Sequence, residues 1–241
     1  MRIISIKILP CAVVILLLPI HGNALVQNQA TQSAPKIPLM RQIYVQDQRD
    51  RGVELADDGG PVKPGDRTHP AESLDAATMQ KRDAERRKQV RELLAAGKVT
   101  TAQDFHDAAF VFQHGSESQD YLLAHILATN AVAKGDSTSR WIAAATLDRY
   151  LQSIGQKQVF GTQYLSGKYA WYLGHKNDPD MAEKFKTIPD TDTQQPYDEQ
   201  LVPDTVRLEF CVPPREQQAQ NLKIFQAGSY PEHIIPSGCT R

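Results

Sequence analysis

Gly115, Gly135 and Gly155 cut the stretch from residue 100 to residue 155 into three helical periods of similar length. That punctuation constrains the fold more than any other feature of the chain, because glycine just past an apolar period is a helix stop. Thr100 or Thr101 caps the first period, which runs to His114. The second covers residues 118–134. Asp136 or Ser137 opens the third, which runs to Ile154. Short helices joined by tight turns pack as antiparallel neighbours. The second period is apolar on nearly all sides, with Leu122, Leu123, Ile126, Leu127, Ala128, Ala131 and Val132, so it should be central and buried. The expected fold is mainly α, an antiparallel helical array or bundle with one small β-hairpin.

The hairpin is expected where the period changes. Residues 158–164 alternate, residues 168–173 alternate again with Tyr169, Trp171 and Leu173 on one side, and Leu165-Ser166-Gly167 reads as the turn. Elsewhere the pattern is helical or irregular. Residues 38–51 suit a short helix with Pro38 in its first turn and Leu39 and Ile43 on one face. Residues 52–70 form a long loop rich in glycine and proline. Ser73 is positioned to cap a helix whose charge run at 81–88 reads as a solvated face, and whose apolar end, Val90, Leu93 and Leu94, stops at Gly97. Shorter helices are expected at 180–186, from Asp204 to Phe210, and after Pro213-Pro214 through Gln226, with Gly228 as terminator.

The first residues read as an export signal. Arg2 and Lys7 precede an apolar run at 8–20 that is too short to span a bilayer comfortably, and Gly22-Asn23-Ala24 offers a small-residue cleavage site. Cys11 lies inside the run rather than after it, which argues against a lipid anchor. Pro10 and Pro19 weaken the rival reading of an uncleaved anchor. The expected organisation is a signal peptide at 1–24, a flexible polar leader at 25–37 and a single mainly helical domain at 38–241. The expected location is periplasmic or secreted, with no transmembrane segment after signal removal. The chain carries 27 basic and 28 acidic side chains, a net charge of −1. Such mixed, balanced charge does not suggest a partner among nucleic acids or anionic membranes. Cys211 and Cys239 remain in the mature chain and form a candidate disulfide, with two free thiols as the alternative. The cysteine and histidine spacing supports no metal site, and no cofactor can be named.

The candidate site lies in the same three periods. On a helical wheel, Phe105, Ala108, Val111 and Phe112 gather on one side of the first period, and His106, Asp107, Phe110, Gln113 and His114 on the other. An ordinary wet face is the bland reading, but wet faces are usually Lys, Glu and Arg. Asp148 and Arg149 interrupt the apolar third period, where a buried charge needs a partner. Asp148 could orient an imidazole or pair with Arg140 or Arg149. His125 reads as a hydrogen-bonded core residue. The Gly161 in Phe160-Gly161-Thr162-Gln163 marks a bulge or the close approach of another group. The candidate ligand-binding set is therefore His106, Asp107, Phe110, Gln113, His114, Asp148, Arg149 and Gln163. Asp47-Gln48-Arg49-Asp50-Arg51 is a further polar cluster, which a surface helix end explains.

Asp47-Gln48…Arg51, Arg82-Asp83…Arg86, Thr101-Ala102…Asp104…His106, Val111-Phe112-Gln113-His114-Gly115, Arg140-Trp141…Asp148-Arg149, Phe160-Gly161-Thr162-Gln163 and Val212-Pro213-Pro214…Glu216-Gln217 together resemble a bacterial family of unknown function. The likeness runs from about Leu39 to Phe225, and its most specific parts are the VFQHG and FGTQ strings. The resemblance implies export and a polar set that belongs together. It carries no assigned activity and no catalytic residues.

Two functions remain open. The first is a helical module that binds an unknown ligand or protein partner on the polar face of the first period. The second is a hydrolase-like enzyme. In it His106 or His114 would be the general base or a metal ligand, Asp107 or Asp148 the orienting group, and Arg149 or Gln163 the stabiliser of developing charge. No GxSxG, HExxH or Walker loop is present.

Overall fold

The helices begin and end where local chemistry dictates. The computed structural model describes residues 37–62, 74–175, 179–232, 234–236 and 239, all within the compact unit Ile37–Arg241. The expected signal and leader, and the Ser73 cap, lie outside the described residues. α1 (Leu39–Arg49) follows Pro38. α2 (Ala76–Ala95) is capped by Asp75, whose carboxylate accepts from the Thr78 amide. α3 (Ala102–Gln113) opens with a capping box in which Thr101 and Asp104 satisfy each other's amides. α4 (Ser118–Ala133) is followed by a 3-10 turn at Ser137–Ser139, capped by Asp136, and then by α5 (Arg140–Ser153). Gly97, Gly135 and Gly155 have positive φ, the left-handed stop that glycine adopts without steric cost.

α4 lies between α3 and α5 and packs extensively on both, while α1 and α2 cover the other side of α3. Ala108, Ala109, Ala124 and Ala128 share one core with Val90, Phe112, Leu127 and Ile142. α4 is central, as expected, but it is not buried all round. Ile126, Thr129 and Asn130 face solvent, because the face of Ala124, Leu127, Ala128 and Ala131 is the one buried against its neighbours.

The two-stranded antiparallel ladder stands elsewhere than expected. β1 (Leu165–Ser166) pairs with β2 (Asp192–Thr193), a partner far along the chain. The second alternating run is a helix, α6 (Gly167–His175), so the expected hairpin at 158–173 does not form. Tyr169 and Tyr172 stack on its surface at 6.5 Å while Ala170 is buried between it and its neighbours. That is a spacing of three, not two, and in so short a run both periods fit the same letters. Residues 158–164 are an irregular loop.

α7 (Met181–Thr187), α8 (Asp204–Glu209) and α9 (Arg215–Gln226) complete the fold. Cys211 and Cys239 form a disulfide across a separation of 28 residues. Closing such a loop contributes roughly 3–4 kcal/mol in the chain-entropy view. Among the described residues no helix is long and apolar enough to cross a membrane.

Candidate functional site

α3 is packed on both faces, and this sets the fate of its polar residues. Residues 106–112 are all buried, so the supposed wet face is interior. His106 packs between Tyr44 of α1 and Phe110. Its Nδ1 lies 2.8 Å from Ser139 Oγ and 3.1 Å from Asp136 Oδ2, and the Ser139 hydroxyl itself donates to Asp136. Serine and carboxylate share one imidazole nitrogen, so this is a brace at the start of α5 and not a nucleophile relay. Burial depresses the His106 imidazole below the usual histidine range, against the pull of Asp136.

Asp107 meets a different partner. Arg41 of α1 donates to its carboxylate at 2.6 Å, and Gln103 at 2.9 Å. Burial pushes the Asp107 carboxyl up to about 7 although Arg41 pulls the other way. The same guanidinium donates to the carbonyls of Asp58 and Gly59. It occupies the space a side chain at Gly59 would need.

The charged strings on α1 and α2 are not surface ends. Asp47, Gln48, Asp50, Asp83 and Arg86 are buried, which corrects the surface reading of 47–51. Within 81–88 Lys81, Glu85 and Lys88 are exposed, so the solvated-face reading holds for that side and fails at Asp83 and Arg86. Arg51 bridges Asp47 at 2.9 Å and Asp83 at 2.7 Å. Arg82 donates to Asp50 at 2.9 Å, and Arg86 pairs with Asp50 and Asp83. Each charge in the cluster has an opposite charge beside it, which is the condition for burying it. Burial works upward on the Asp47 carboxyl, but His114, Arg51 and Arg86 outweigh it and hold it below the usual range.

Asp148 pairs with neither Arg140 nor Arg149, and it orients no imidazole. Its carboxylate accepts from the amides of Val159, Phe160 and Thr162 at 2.7–2.9 Å and from the Thr162 hydroxyl at 2.8 Å. On the opposite side of that loop, Arg207, fully buried, donates to the carbonyls of Val159 and Phe160. Gln194 and Gln218 hold the Gly161 carbonyl. Gly161 has φ +71°, and a side chain there would strike Tyr197 and Gln218. The glycine thus marks close approach by α9 and the segment before α8, not a strand bulge. Burial raises the Asp148 carboxyl above its usual range, opposed by the three amides.

The stitched loop presents Gln163 to Arg149. Gln163 Oε1 accepts from Arg149 Nε and Nη2, both at 3.1 Å, and the Gln113 carbonyl accepts from Nη1 at 2.7 Å. The Tyr121 ring lies 5.8 Å away. Among the described residues no carboxylate comes within ion-pair distance of Arg149. Burial lowers even this guanidinium below its usual range. Next to Gln113, His114 Nδ1 stands 3.2 Å from Asp47 Oδ2 without a well-directed hydrogen bond. Burial holds the His114 imidazole below its usual range, and Arg51 and Arg149 add to that against Asp47.

The candidate set therefore divides. Gln113, through its carbonyl, His114, Arg149 and Gln163 come together. Asp148 supports them from beneath the loop. His106 and Phe110 belong to the aromatic brace with Tyr44, and Asp107 belongs to Arg41. His125 Nδ1 lies 2.9 Å from the Ala143 carbonyl, as a core histidine should. Sequence reading passed over Arg41, Ser139 and Arg207. Only a lone charge inside an otherwise weak amphipathic pattern, as at Arg207, could have signalled them. Among the described residues no group of His, Cys, Asp or Glu side chains is arranged to hold a metal ion. Comparison with protein families, curated proteins and solved structures finds no match.

Proposed function

We propose that the chain is an exported, periplasmic or secreted binding module. Its ligand docks where the VFQHG and FGTQ strings meet at Arg149. One observation carries the reading: a half-buried guanidinium is aimed by a backbone carbonyl and a glutamine amide, with no carboxylate beside it among the described residues. A cation held this way is a receptor waiting for a partner, since stability alone would be served by a neutral side chain. The disulfide supports an oxidising compartment. The resemblance to an often exported bacterial family agrees with that location.

The hydrolase-like alternative is less well supported. Asp148 has its oxygens filled by loop donors, Ser139 is fully buried, and His106 is engaged at Nδ1 by a bracing serine. The test has two arms. Chromogenic acetyl and phosphoryl esters report hydrolysis, and protein-observed NMR with a soluble metabolite extract reports binding. The expected outcome is no turnover, with shifts confined to the amides around 113–115, 149 and 163. Turnover that disappears in His114→Ala would overturn the binding reading. The same variant should change ligand response more than melting temperature.

A further inference from the structure

Charge matching around His114 narrows the ligand. Six charged groups on α1, the turn after it and α2 form a balanced set: Asp47, Asp50 and Asp83 against Arg51, Arg82 and Arg86. Two positive charges near His114 are left over among the described residues: Arg149, with no carboxylate in ion-pair reach, and one of Arg87 and Arg91, which share Asp120. His114 sits between that balanced set and Arg149. Around it stand Asp47 of α1, Arg51 of the turn after α1, Arg86 of α2 on the Asp47 carboxylate, Arg87 of α2 on the His114 carbonyl and paired with Asp120 of α4, Tyr121 of α4 on the Gly115 carbonyl, and Arg149 of α5. Arg87 holds the His114 carbonyl at 2.9 Å, and Tyr121 holds the Gly115 carbonyl at 2.8 Å, so the backbone cannot swing the ring away.

Of the five guanidinium N–H groups of an arginine, those of Arg149 used by Gln163 and Gln113 number three. The remaining donors suit an oxygen acceptor carrying negative charge, the ligand class for which a planar guanidinium fork is best fitted. Burial is the largest influence keeping a proton off His114, and Arg51 and Arg149 add to it; seating an anion on Arg149 removes that arginine's share. The Asp47 carboxylate at 3.2 Å then faces an imidazolium instead of a neutral ring.

We infer that the ligand at Arg149 presents a small oxyanion, whether carboxylate, sulfate or phosphate, and that seating it draws one proton from solvent onto the His114 imidazole. The inference rests on the binding reading above and adds to it the ligand's charge and the direction of its pH dependence. By reciprocity, whatever favours the imidazolium must favour the anion equally.

The experiment is calorimetric titration of the mature protein at low ionic strength with sodium sulfate, acetate and phosphate, at about pH 5.5 and about pH 8, where histidine changes charge. Sulfate does not titrate in this range, so any pH dependence with sulfate belongs to the protein. Acetate and phosphate tell which oxyanion geometry the site prefers. The expected result is measurable binding at the lower pH, weakening by up to about tenfold per pH unit as the pH rises. Heats in buffers of different ionisation enthalpy should report uptake of one proton per anion. His114→Gln should bind sulfate without pH dependence or proton uptake. Arg149→Lys, checked for folding by circular dichroism, should weaken binding by more than about tenfold, since a point charge replaces the fork. Binding that is pH-independent in the unmodified protein overturns the proton coupling and leaves the anion seat. Oxyanion binding that survives unchanged in folded Arg149→Lys and Arg149→Met overturns the seat. If no oxyanion binds while the metabolite extract still shifts the 113–115, 149 and 163 amides, the anion inference fails and the binding module stands.

Discussion

Two regions of this protein bury ionic side chains by different means. Between α1 and α2, aspartate meets arginine directly. Around residues 158–163, Asp148 and Arg207 never meet. Asp148 collects amides from one side of the loop, and Arg207 collects carbonyls from the other. The peptide groups between them carry the pairing as dipoles. The first arrangement locks two helices together. The second gives an irregular loop one conformation, and so places Gln163 with enough accuracy to aim Arg149. Charge against charge suits regular elements whose own backbone is satisfied. Charge against backbone suits a loop, whose amides and carbonyls would otherwise be buried without partners.

The comparison can be broken at its centre first. Arg86→Met leaves Asp50 and Asp83 short of a counter-charge in a buried place and should cost about 3–5 kcal/mol in urea unfolding. A loss below about 1 kcal/mol would mean that water reaches the cluster and the pairing is ornamental. Asp148→Asn keeps the shape but substitutes an NH2 group for one acceptor oxygen, facing loop donors. It should cost about 2–4 kcal/mol, with NMR changes concentrated at 159–163 and at Gln163 in particular. If those changes instead spread through α1 and α2, the two regions are not separate.

Smaller, and opposite in sign, are the pH effects. Asp47 is held below its usual range, so its contribution is present above the unfolded value near about 4 and disappears as pH falls through the lower folded value. Asp148 is raised, so the folded state binds that proton more tightly, and stability falls as pH rises from about 4 toward its folded value. Asp107, pushed to about 7, behaves like Asp148 between about pH 4 and that value. Unfolding free energy measured across this range should show a smaller acid limb in Asp47→Asn, where Asp136 still contributes, and a smaller falling limb in Asp107→Asn, where Asp148 still contributes. The same slope in both variants would sink the distinction. The smallest effect should come from salt. Added sodium chloride should change stability by less than about 1 kcal/mol, mostly through half-exposed members such as Arg82. A large loss would show that the cluster is wetter than its burial implies.

Much of the frame was legible because it is local. Thr101 and Asp104 cap α3, Asp136 caps the turn into α5, and glycines follow α2, α4 and α5 at the places their spacing announces. The place of the hairpin was misjudged because the six residues 168–173 satisfy a period of two and a period of three alike. The choice was made by packing on α5 and by the long-range pairing of Leu165 with Thr193. The candidate site was legible in part. Arg149, Gln163, His114 and Gln113 stood out as polar letters in apolar helices, and they do gather. His106 and Asp107 stood out for the same reason, yet each is absorbed by a partner that no spacing could name, Ser139 for one and Arg41 for the other.

The helix count in the centre of the chain, its stops and its caps follow from residues near one another along the backbone, where sterics and hydrogen-bond geometry act over a few bonds. The cysteine pair was legible from composition alone, since its bond spans 28 residues. Which polar groups became braces and which remained available was settled by contacts between residues tens of positions apart. A wheel shows that Asp107 and Arg149 are both charges in apolar helices. It cannot show that α1 brings a guanidinium to the first while, among the described residues, none of the packed elements brings a carboxylate to the second, because burial and counter-charge belong to the assembled neighbours and not to the segment that carries the residue.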